Sequence, residues 1–462
     1  MATPLKVGLL GCGNVGGALV HLLVEDSERI ASRTGLQLSL AGVAVRSQSR
    51  EREAPVPAGL LTSDAQSVVA DPEVDIVVEV IGGIEPARTL ILAALKAGKP
   101  VITANKELLA NCGAELFEAA STAGVDLLFE AAVAGGIPII RPLRESLAGE
   151  RIRRVTGIVN GTTNFILSKM GESATSYHDA LAEAQSLGYA ERDPTADVEG
   201  YDAAAKAAII ANVAFGGRVV AGDVYREGIS AITAADIAAA KQLGYAVKLL
   251  AVVEHSDADE SGIESIAVRV HPAMVPDTHP LSAVRDSYNA VFVEGDAVGQ
   301  LMLLGRGAGG MPTASAVLGD LLDAAHNLTT GGAGRSLALR KVAIRPIDEL
   351  RSAYYLTLQV LDRPGVLHAV SGVLGRHHVS IRLMEQQALP SDASIDDGSR
   401  AQGPTEASAA TAAAGSPGGD SVARLVFVTH PAYERDVQAC LHDLRHLDVV
   451  ESIGGLLRVI GS

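Results

Sequence analysis

A short apolar run at residues 6–10 ends in Gly11-Cys12-Gly13-Asn14-Val15-Gly16, and an apolar helical pattern takes up the chain at once. Few local sequences constrain a fold so tightly. The first glycine permits a tight turn, the second lets a phosphate approach the backbone, and the third lets helix and strand pack closely. Free amides at the start of the helix then face the ligand. Gly11, Gly13, Asn14, Val15 and Gly16 are therefore candidate contacts of a dinucleotide pyrophosphate. The same run is too short and too soon broken to be a secretory h-region or a membrane span. No later run reaches about 18 apolar residues.

The alternation continues. Strands are predicted at 38–45, 75–80 and 101–103, with a helix at 88–97 stopped by Gly98, which implies a parallel sheet covered on both faces. Residues 141–330 are mixed, with strands at 152–159, 247–253, 266–270 and 290–293 and Ala-rich helices at 176–186 and 203–214. From residue 350 the pattern is strand 354–360, helix 365–376, strand 379–386, then strand 422–429, helix 433–444 and strand 449–459. Between them lies 389–420, rich in Ser, Ala, Gly, Asp and Pro, which cannot bury a core and is expected to be disordered. Without it the order is βαββαβ, the ferredoxin-like arrangement. A chain of 462 residues exceeds one ordinary core. The expected α/β division is a Rossmann dinucleotide-binding domain at 1–137, a mixed α/β catalytic and dimerisation domain at 138–330, and a ferredoxin-like domain at 351–462.

Composition excludes several partners. Aromatic residues make up 3% with no Trp, and 38 Lys and Arg against 54 Asp and Glu give a net charge of −16. Neither a base-stacking nucleic-acid surface nor an anionic membrane suits such a chain. Cys12, Cys112 and Cys440 are too widely spaced for a disulfide framework or a zinc motif, so a reducing, cytoplasmic setting is expected.

The predicted second strand ends Ala44-Val45-Arg46-Ser47, with no carboxylate to hold the ribose diol of NAD. The guanidinium fork of Arg46 suits a 2′-phosphate instead, so the reading is NADP(H) preferred and NAD(H) possible. Further on, residues 188–206 crowd carboxylates into a loop that leads to a helix containing Lys206. Asp202 and Lys206 stand four apart on one helix face. An exposed i,i+4 pair is the plain alternative. The helix is apolar nearly all round, however, and a lysine buried on it needs partners or a function. Facing a nicotinamide, such a lysine donates a proton to the oxygen of a carbonyl under reduction. Glu191 and Asp197, in the same acidic loop, are candidates for holding a substrate ammonium. Cys112 lies in a helical pattern with no His near in sequence to activate it, so it is read as a packing residue.

The acidic segment resembles the signature of homoserine dehydrogenases, which interconvert aspartate 4-semialdehyde and homoserine with NAD(P)(H). Four further stretches match in order: Thr103-Ala104-Asn105-Lys106, Glu130-Ala131-Ala132-Val133-Ala134-Gly135-Gly136-Ile137-Pro138, Asn160-Gly161-Thr162-Thr163-Asn164, and Gly305-Arg306-Gly307-Ala308-Gly309. The resemblance spans about residues 5–325. It implies that Lys206 is the proton donor, that Asp202 binds substrate and orients that lysine, and that Glu191 holds the substrate ammonium. It also implies that Lys106 is a second lysine beside nicotinamide and substrate, and that Gly188 and Gly307 touch the cofactor. Glu130, Val133, Gly135 and Ile137 match a structural monovalent-cation site, usually sodium, whose hard oxygen donors suit such an ion.

In the C-terminal region Leu361-Asp362-Arg363-Pro364-Gly365-Val366-Leu367 sits between strand and helix and resembles an ACT domain. Such modules pair their sheets and sense amino acids, commonly L-threonine in this family. The insertion at 389–420 departs from the usual pattern. The expectation is an NADP(H)-preferring homoserine dehydrogenase of the threonine, methionine and isoleucine route, a homodimer or higher homo-oligomer inhibited by threonine. The rivals are a dehydrogenase of another amino-acid carbonyl and a non-catalytic amino-acid sensor. Retention of both Lys106 and Lys206 speaks against the second.

Overall fold

The computed structural model describes residues 4–256, 264–334, 337–388 and 421–461, so the segment 389–420 lies outside the described residues. The chain divides into two units, Met1–Ile347 and Asp348–Ser462.

The first unit opens with a six-stranded sheet: β1 (Leu5–Leu10), β2 (Leu38–Ala44), β3 (Leu61–Thr62), β4 (Ile76–Glu79), β5 (Val101–Thr103) and β6 (Leu127–Leu128). Their order is β3-β2-β1-β4-β5-β6, and every neighbouring pair is parallel. Val7, Leu9, Ile76, Val77 and Val78 are fully buried, because both faces of such a sheet are covered by helices. The strand order reverses between β1 and β4, so the crevice beyond their carboxyl ends is where a ligand sits in a sheet of this kind. The sequence indicated four of these strands. β3 and β6 are two residues long and leave no periodicity to read.

One covering helix comes from far away in the chain. Gly310–Thr330 packs Ala314, Val317, Leu321 and Ala324 into the same core as Leu19 and Leu23 of the helix Asn14–Glu25. The nucleotide-binding sheet is thus completed by residues at the end of the region assigned to catalysis.

A second sheet in this unit runs Gly299–Arg306, Tyr288–Gly295, Ile152–Ile158, Tyr245–Ser256, Ser265–Pro276, with neighbours antiparallel. The helices Gly161–Ser173 and Tyr201–Phe215 pack against it. The first starts where Ile152–Ile158 ends, and the Asn160 side chain caps it by accepting from the Thr163 amide at 2.8 Å. In the second, all of residues 202–213 are buried, as its all-round apolar pattern requires.

The second unit contains strands Arg351–Leu361, Ile381–Ala388, Val422–Thr429 and Val450–Val459, with helices Val366–Arg376 and Glu434–Leu444. Taken in chain order these strands pair antiparallel as fourth-first-third-second, the ferredoxin-like topology. Leu358, Val370, Phe427 and Leu441 fill its core. Buried Glu434 accepts the Tyr354 hydroxyl at 2.7 Å and Arg458 Nε at 2.9 Å, so its charge is met where water is excluded.

Candidate active site

The glycine turn at the end of β1 is sterically closed to other residues at two points. Gly11 has φ +101°, and a Cβ there would come 2.7 Å from the Val80 carbonyl oxygen. At Gly16 a Cβ would come 2.1 Å from the Gly11 oxygen. Gly13, by contrast, faces open space, and as N-cap of Asn14–Glu25 it offers no side-chain cap. The turn therefore presents uncapped amides, Asn14 and Val15 among them, to the crevice, which fits a pyrophosphate. Arg46 is exposed just past the end of β2. Arg52, which sequence reasoning did not single out, folds back so that Nη1 donates to the Arg50 carbonyl at 2.7 Å. It lies near enough to Cys12 to oppose the rise that burial imposes on that thiol.

The ends of β4 and β5 build the next element. Buried Glu79 accepts the Ile81 amide at 2.7 Å and the Thr103 hydroxyl at 2.6 Å, and Thr103 Oγ1 accepts the Asn105 amide at 3.0 Å. Asn105 in turn caps Lys106–Ala123 through the Leu108 amide. The Thr-Ala-Asn-Lys stretch is thus a braced strand-to-helix turn that presents Lys106 at a helix start.

Lys106 meets the second sheet's machinery at Asp202. Lys106 Nζ stands 2.5 Å from Asp202 Oδ1, while Oδ2 accepts from Lys206 Nζ at 2.7 Å and Asn160 Nδ2 at 2.9 Å. Lys206 also donates to the Val159 carbonyl at 2.6 Å, and Asn160 Nδ2 to Asp197 Oδ1 at 2.7 Å. Among the described residues, the three side chains that contact the Asp202 carboxylate, those of Lys106, Lys206 and Asn160, are all donors. Lys206 is 8% exposed, which removes the exposed-pair alternative.

Burial dictates the titration of this cluster. It would raise Asp202, but Lys206 and Lys106 outweigh it and hold the carboxyl well below its ordinary range. Burial pushes Lys206 down, with Asp202 opposing and Lys106 adding to the fall. Lys106 also feels burial, yet Asp202 and Asp197 leave it raised. Asp197 is raised by burial, against the hydrogen bond from Asn160. Two adjacent lysines are therefore driven in opposite directions, the pattern expected where one is to release a proton.

The remaining predicted residues are placed less tightly. Gly188 has φ +75° on an exposed loop that is pinned where the Thr162 hydroxyl donates to the Tyr189 carbonyl at 2.6 Å. Glu191 is exposed on that loop. Its backbone carbonyl accepts from Gln185 Nε2 at 3.0 Å, and its carboxylate has no partner among the described residues. Glu130 is buried, with Oε1 accepting the Ile139 and Ile140 amides and Oε2 the Arg141 amide. Ala134 and Gly135 follow at φ 56° and 54°, and a Cβ on Gly135 would lie 2.2 Å from the Gly307 oxygen. For a cation, the turn thus offers main-chain carbonyls and one carboxylate already committed to three amides. That donor set is hard and fits a weakly held monovalent ion. At Gly307 a Cβ would come 2.0 Å from Asn289 Cγ. Asn289 is 1% exposed and its Oδ1 has no partner among the described residues.

Sequence reasoning missed Asn160 as the link between both carboxylates and the helix cap, although an Asn before Gly-Thr-Thr at a helix start was a legible capping signal. It also missed Asn289, for which no local signal exists.

Known protein families match along most of the chain. The homoserine dehydrogenase family model matches residues 138–322, that of the homoserine dehydrogenase NAD binding domain 11–130, and that of the ACT domain 354–395. The homoserine dehydrogenase of Mycobacterium tuberculosis is 47% identical over 460 residues, covering 99% of this chain and 98% of that protein. The chain belongs to the homoserine dehydrogenase family. Among solved structures of homoserine dehydrogenases, that from Thiobacillus denitrificans is 39% identical with a TM-score of 0.86, covering 99% of this chain and 98% of that one. A hyperthermophilic archaeal homoserine dehydrogenase mutant in complex with NADPH is 30% identical with a TM-score of 0.58, covering 70% of this chain and 98% of the archaeal one. As a member of the family the protein is an NAD(P)-dependent oxidoreductase with a C-terminal ACT domain. Among the described residues, no helix is long and apolar enough to cross a membrane.

Proposed function

We propose that the protein reduces L-aspartate 4-semialdehyde to L-homoserine, and runs the reverse reaction, with NADP(H) preferred over NAD(H). The observation that carries this reading is the Lys106–Asp202–Lys206 cluster, in which one carboxylate holds two lysines of opposite pKa tendency. When bound, the nicotinamide supplies the hydride. Lys206 gives a proton to the oxygen of the aldehyde as charge develops there, and its depressed pKa makes the transfer easier near neutral pH. Lys106, which stays charged, stabilises the same oxygen electrostatically. Asp202 orients Lys206 and, with Asp197 and the open carboxylate of Glu191, receives the substrate's ammonium. Gly11, Gly13, Asn14, Val15 and Gly16 hold the pyrophosphate, and Gly188 and Gly307 close on the nicotinamide end. Arg46 reads the 2′-phosphate, a reading supported by the absence of a carboxylate at the end of β2.

Domain roles follow the same reading: 1–137 binds cofactor, 138–330 carries catalysis and dimerisation, and 351–462 senses L-threonine. A homodimer is supported by the strand Gly299–Arg306, an edge that among the described residues pairs only with Tyr288–Gly295 in its sheet, with Leu301, Met302 and Leu304 exposed along it. A sodium ion at Glu130, Val133, Gly135 and Ile137 would be architectural, since the turn abuts the Gly307 loop. Three free cysteines suit the cytoplasm. The deciding assay follows NADPH and NADH oxidation by purified protein with aspartate 4-semialdehyde, with and without threonine. Oxidation of neither coenzyme would overturn the activity, and equal use of both would overturn the preference.

A further inference from the structure

Among its described residues the first unit buries three lysines, Lys99, Lys206 and Lys248, and the last has an environment of its own. Lys248 lies on the strand Tyr245–Ser256, is 3% exposed, and donates to three neutral oxygens: Asn164 Oδ1 at 3.0 Å, Ser168 Oγ at 3.4 Å, and the Val284 carbonyl. Lys206 is buried against a carboxylate. Lys248 has no ion pair among the described residues. Burying an ammonium without an ion pair is costly, and burial draws its pKa down to about 8, with Arg285 adding to the fall and Glu172 and Asp286 opposing it.

Lys248 and Ser168 form part of the wall of a cavity of about 380 Å³, which Asn164 and Val284 do not line. The longest and weakest of the three contacts is therefore the one on the cavity side. Leu167, Ile237 and Val247 supply apolar lining, and Lys241 and Arg285 stand at the same cavity. Of its carboxylates, Glu172 is already paired with Arg285 at 2.9 Å, which leaves Asp277 against Lys241 and Lys248. None of these residues belongs to the Asp202 cluster, and all lie outside the ACT domain.

We propose that this cavity is a binding site for a small carboxylate with a short apolar body, whose carboxylate pairs with Lys248 and Ser168 while its body rests on Leu167, Ile237 and Val247. The ligand supplies the direct ion pair that Glu172, Asp277 and Asp286 do not make with Lys248. The volume accommodates a molecule the size of an amino acid. Whether it carries an ammonium group as well is decided by the choice of probe.

The test uses the full-length protein with ¹³C-labelled Ile, Leu and Val methyl groups, titrated separately with isovalerate, L-valine and isopentylamine, which share one apolar body. Isovalerate should saturably shift the methyl signals of Leu167, Ile237 and Val247, and isopentylamine should not. Tighter binding of L-valine than of isovalerate assigns the site to amino acids, and the reverse order to simple carboxylates. Lys248→Met should weaken isovalerate binding tenfold or more. Should that variant not fold, Lys241→Glu/Arg285→Glu alters charge at the same cavity and should weaken it in the same sense. Binding of the amine as tight as that of isovalerate, unchanged affinity in whichever variant folds, or no shift of these methyls would overturn the proposal.

Discussion

Replacing Asp202 by Asn should separate charge from shape at the catalytic cluster. The two side chains are isosteric, but Lys106, Lys206 and Asn160 all present donors to this position. The new amide NH₂ must face one of them. It will turn toward Lys106, whose side chain is 45% exposed and free to swing into solvent, and leave the oxygen to Lys206 and Asn160. Lys206 then keeps a hydrogen bond and loses its counter-charge. Removing one partner of a buried ion pair costs about 3–5 kcal/mol. A loss borne by Lys206 lowers its pKa further, because burial then acts on the ammonium with no carboxylate to oppose it. With its pKa lowered twice over, by burial and by loss of the carboxylate, less of Lys206 carries a proton to give as pH rises. kcat for semialdehyde reduction should therefore fall about 10²–10⁴-fold at pH 8 and recover in part on acidification. Stability should follow the same carboxylate. The folded-state pKa of Asp202 lies below its ordinary 3.8, so its contribution is complete above that value and is lost as pH falls through the folded one. The wild type should melt above the variant at pH 7, and the gap should close in acid. The assay is kcat against pH from 6 to 10 at saturating NADPH, with coenzyme affinity by fluorescence. A variant within tenfold of wild type with an unmoved pH profile would refute the argument.

Lys206→Ala should lower kcat by about 10²–10⁴ with NADPH affinity nearly intact, and more than a tenth of wild-type turnover would exclude the proton-donor role. Arg46→Ala should raise the KM for NADPH far more than that for NADH, by about 1.5–3 kcal/mol, whereas equal changes would show that Arg46 does not read the phosphate. Gly307→Ala places a methyl 2.0 Å from Asn289 Cγ, so coenzyme affinity should drop at least about tenfold and be partly restored by adding Asn289→Gly; calorimetry on both variants checks this. A chain ending at Ile347, the boundary between the two units, should still reduce the semialdehyde but lose threonine inhibition, and full inhibition of the truncated enzyme would place the effector site elsewhere. Deleting 389–420, which has few large apolar side chains, should preserve both activities in the same assay.

Local sequence determined whatever depends on neighbours along the chain. Gly11, Gly13 and Gly16 marked a strand-to-helix turn open to a phosphate, because Gly11 adopts the φ of +101° that glycine permits and Gly16 packs on Gly11 within the turn itself. The four-residue spacing of Asp202 and Lys206, on a helix apolar all round, was enough to predict a buried ion pair, and the pair is buried. βαββαβ periodicity announced the second unit even across a long insertion. Tertiary structure alone decided what joins distant segments. Lys106 reaches Asp202 across nearly a hundred residues, Asn160 bridges Asp197 and Asp202, and Asn289 fills the space under Gly307. No pattern in one sequence encodes which of many polar residues will face each other after folding. The helix Gly310–Thr330 shows the same limit for packing. That it closes the nucleotide-binding core, some three hundred residues from β1, follows only from which surfaces remain uncovered once both sheets have formed. Lys248 marks the boundary most sharply. In sequence it is an ordinary lysine in an apolar strand, and only the folded chain reveals that it is buried beside a cavity and, among the described residues, makes no ion pair.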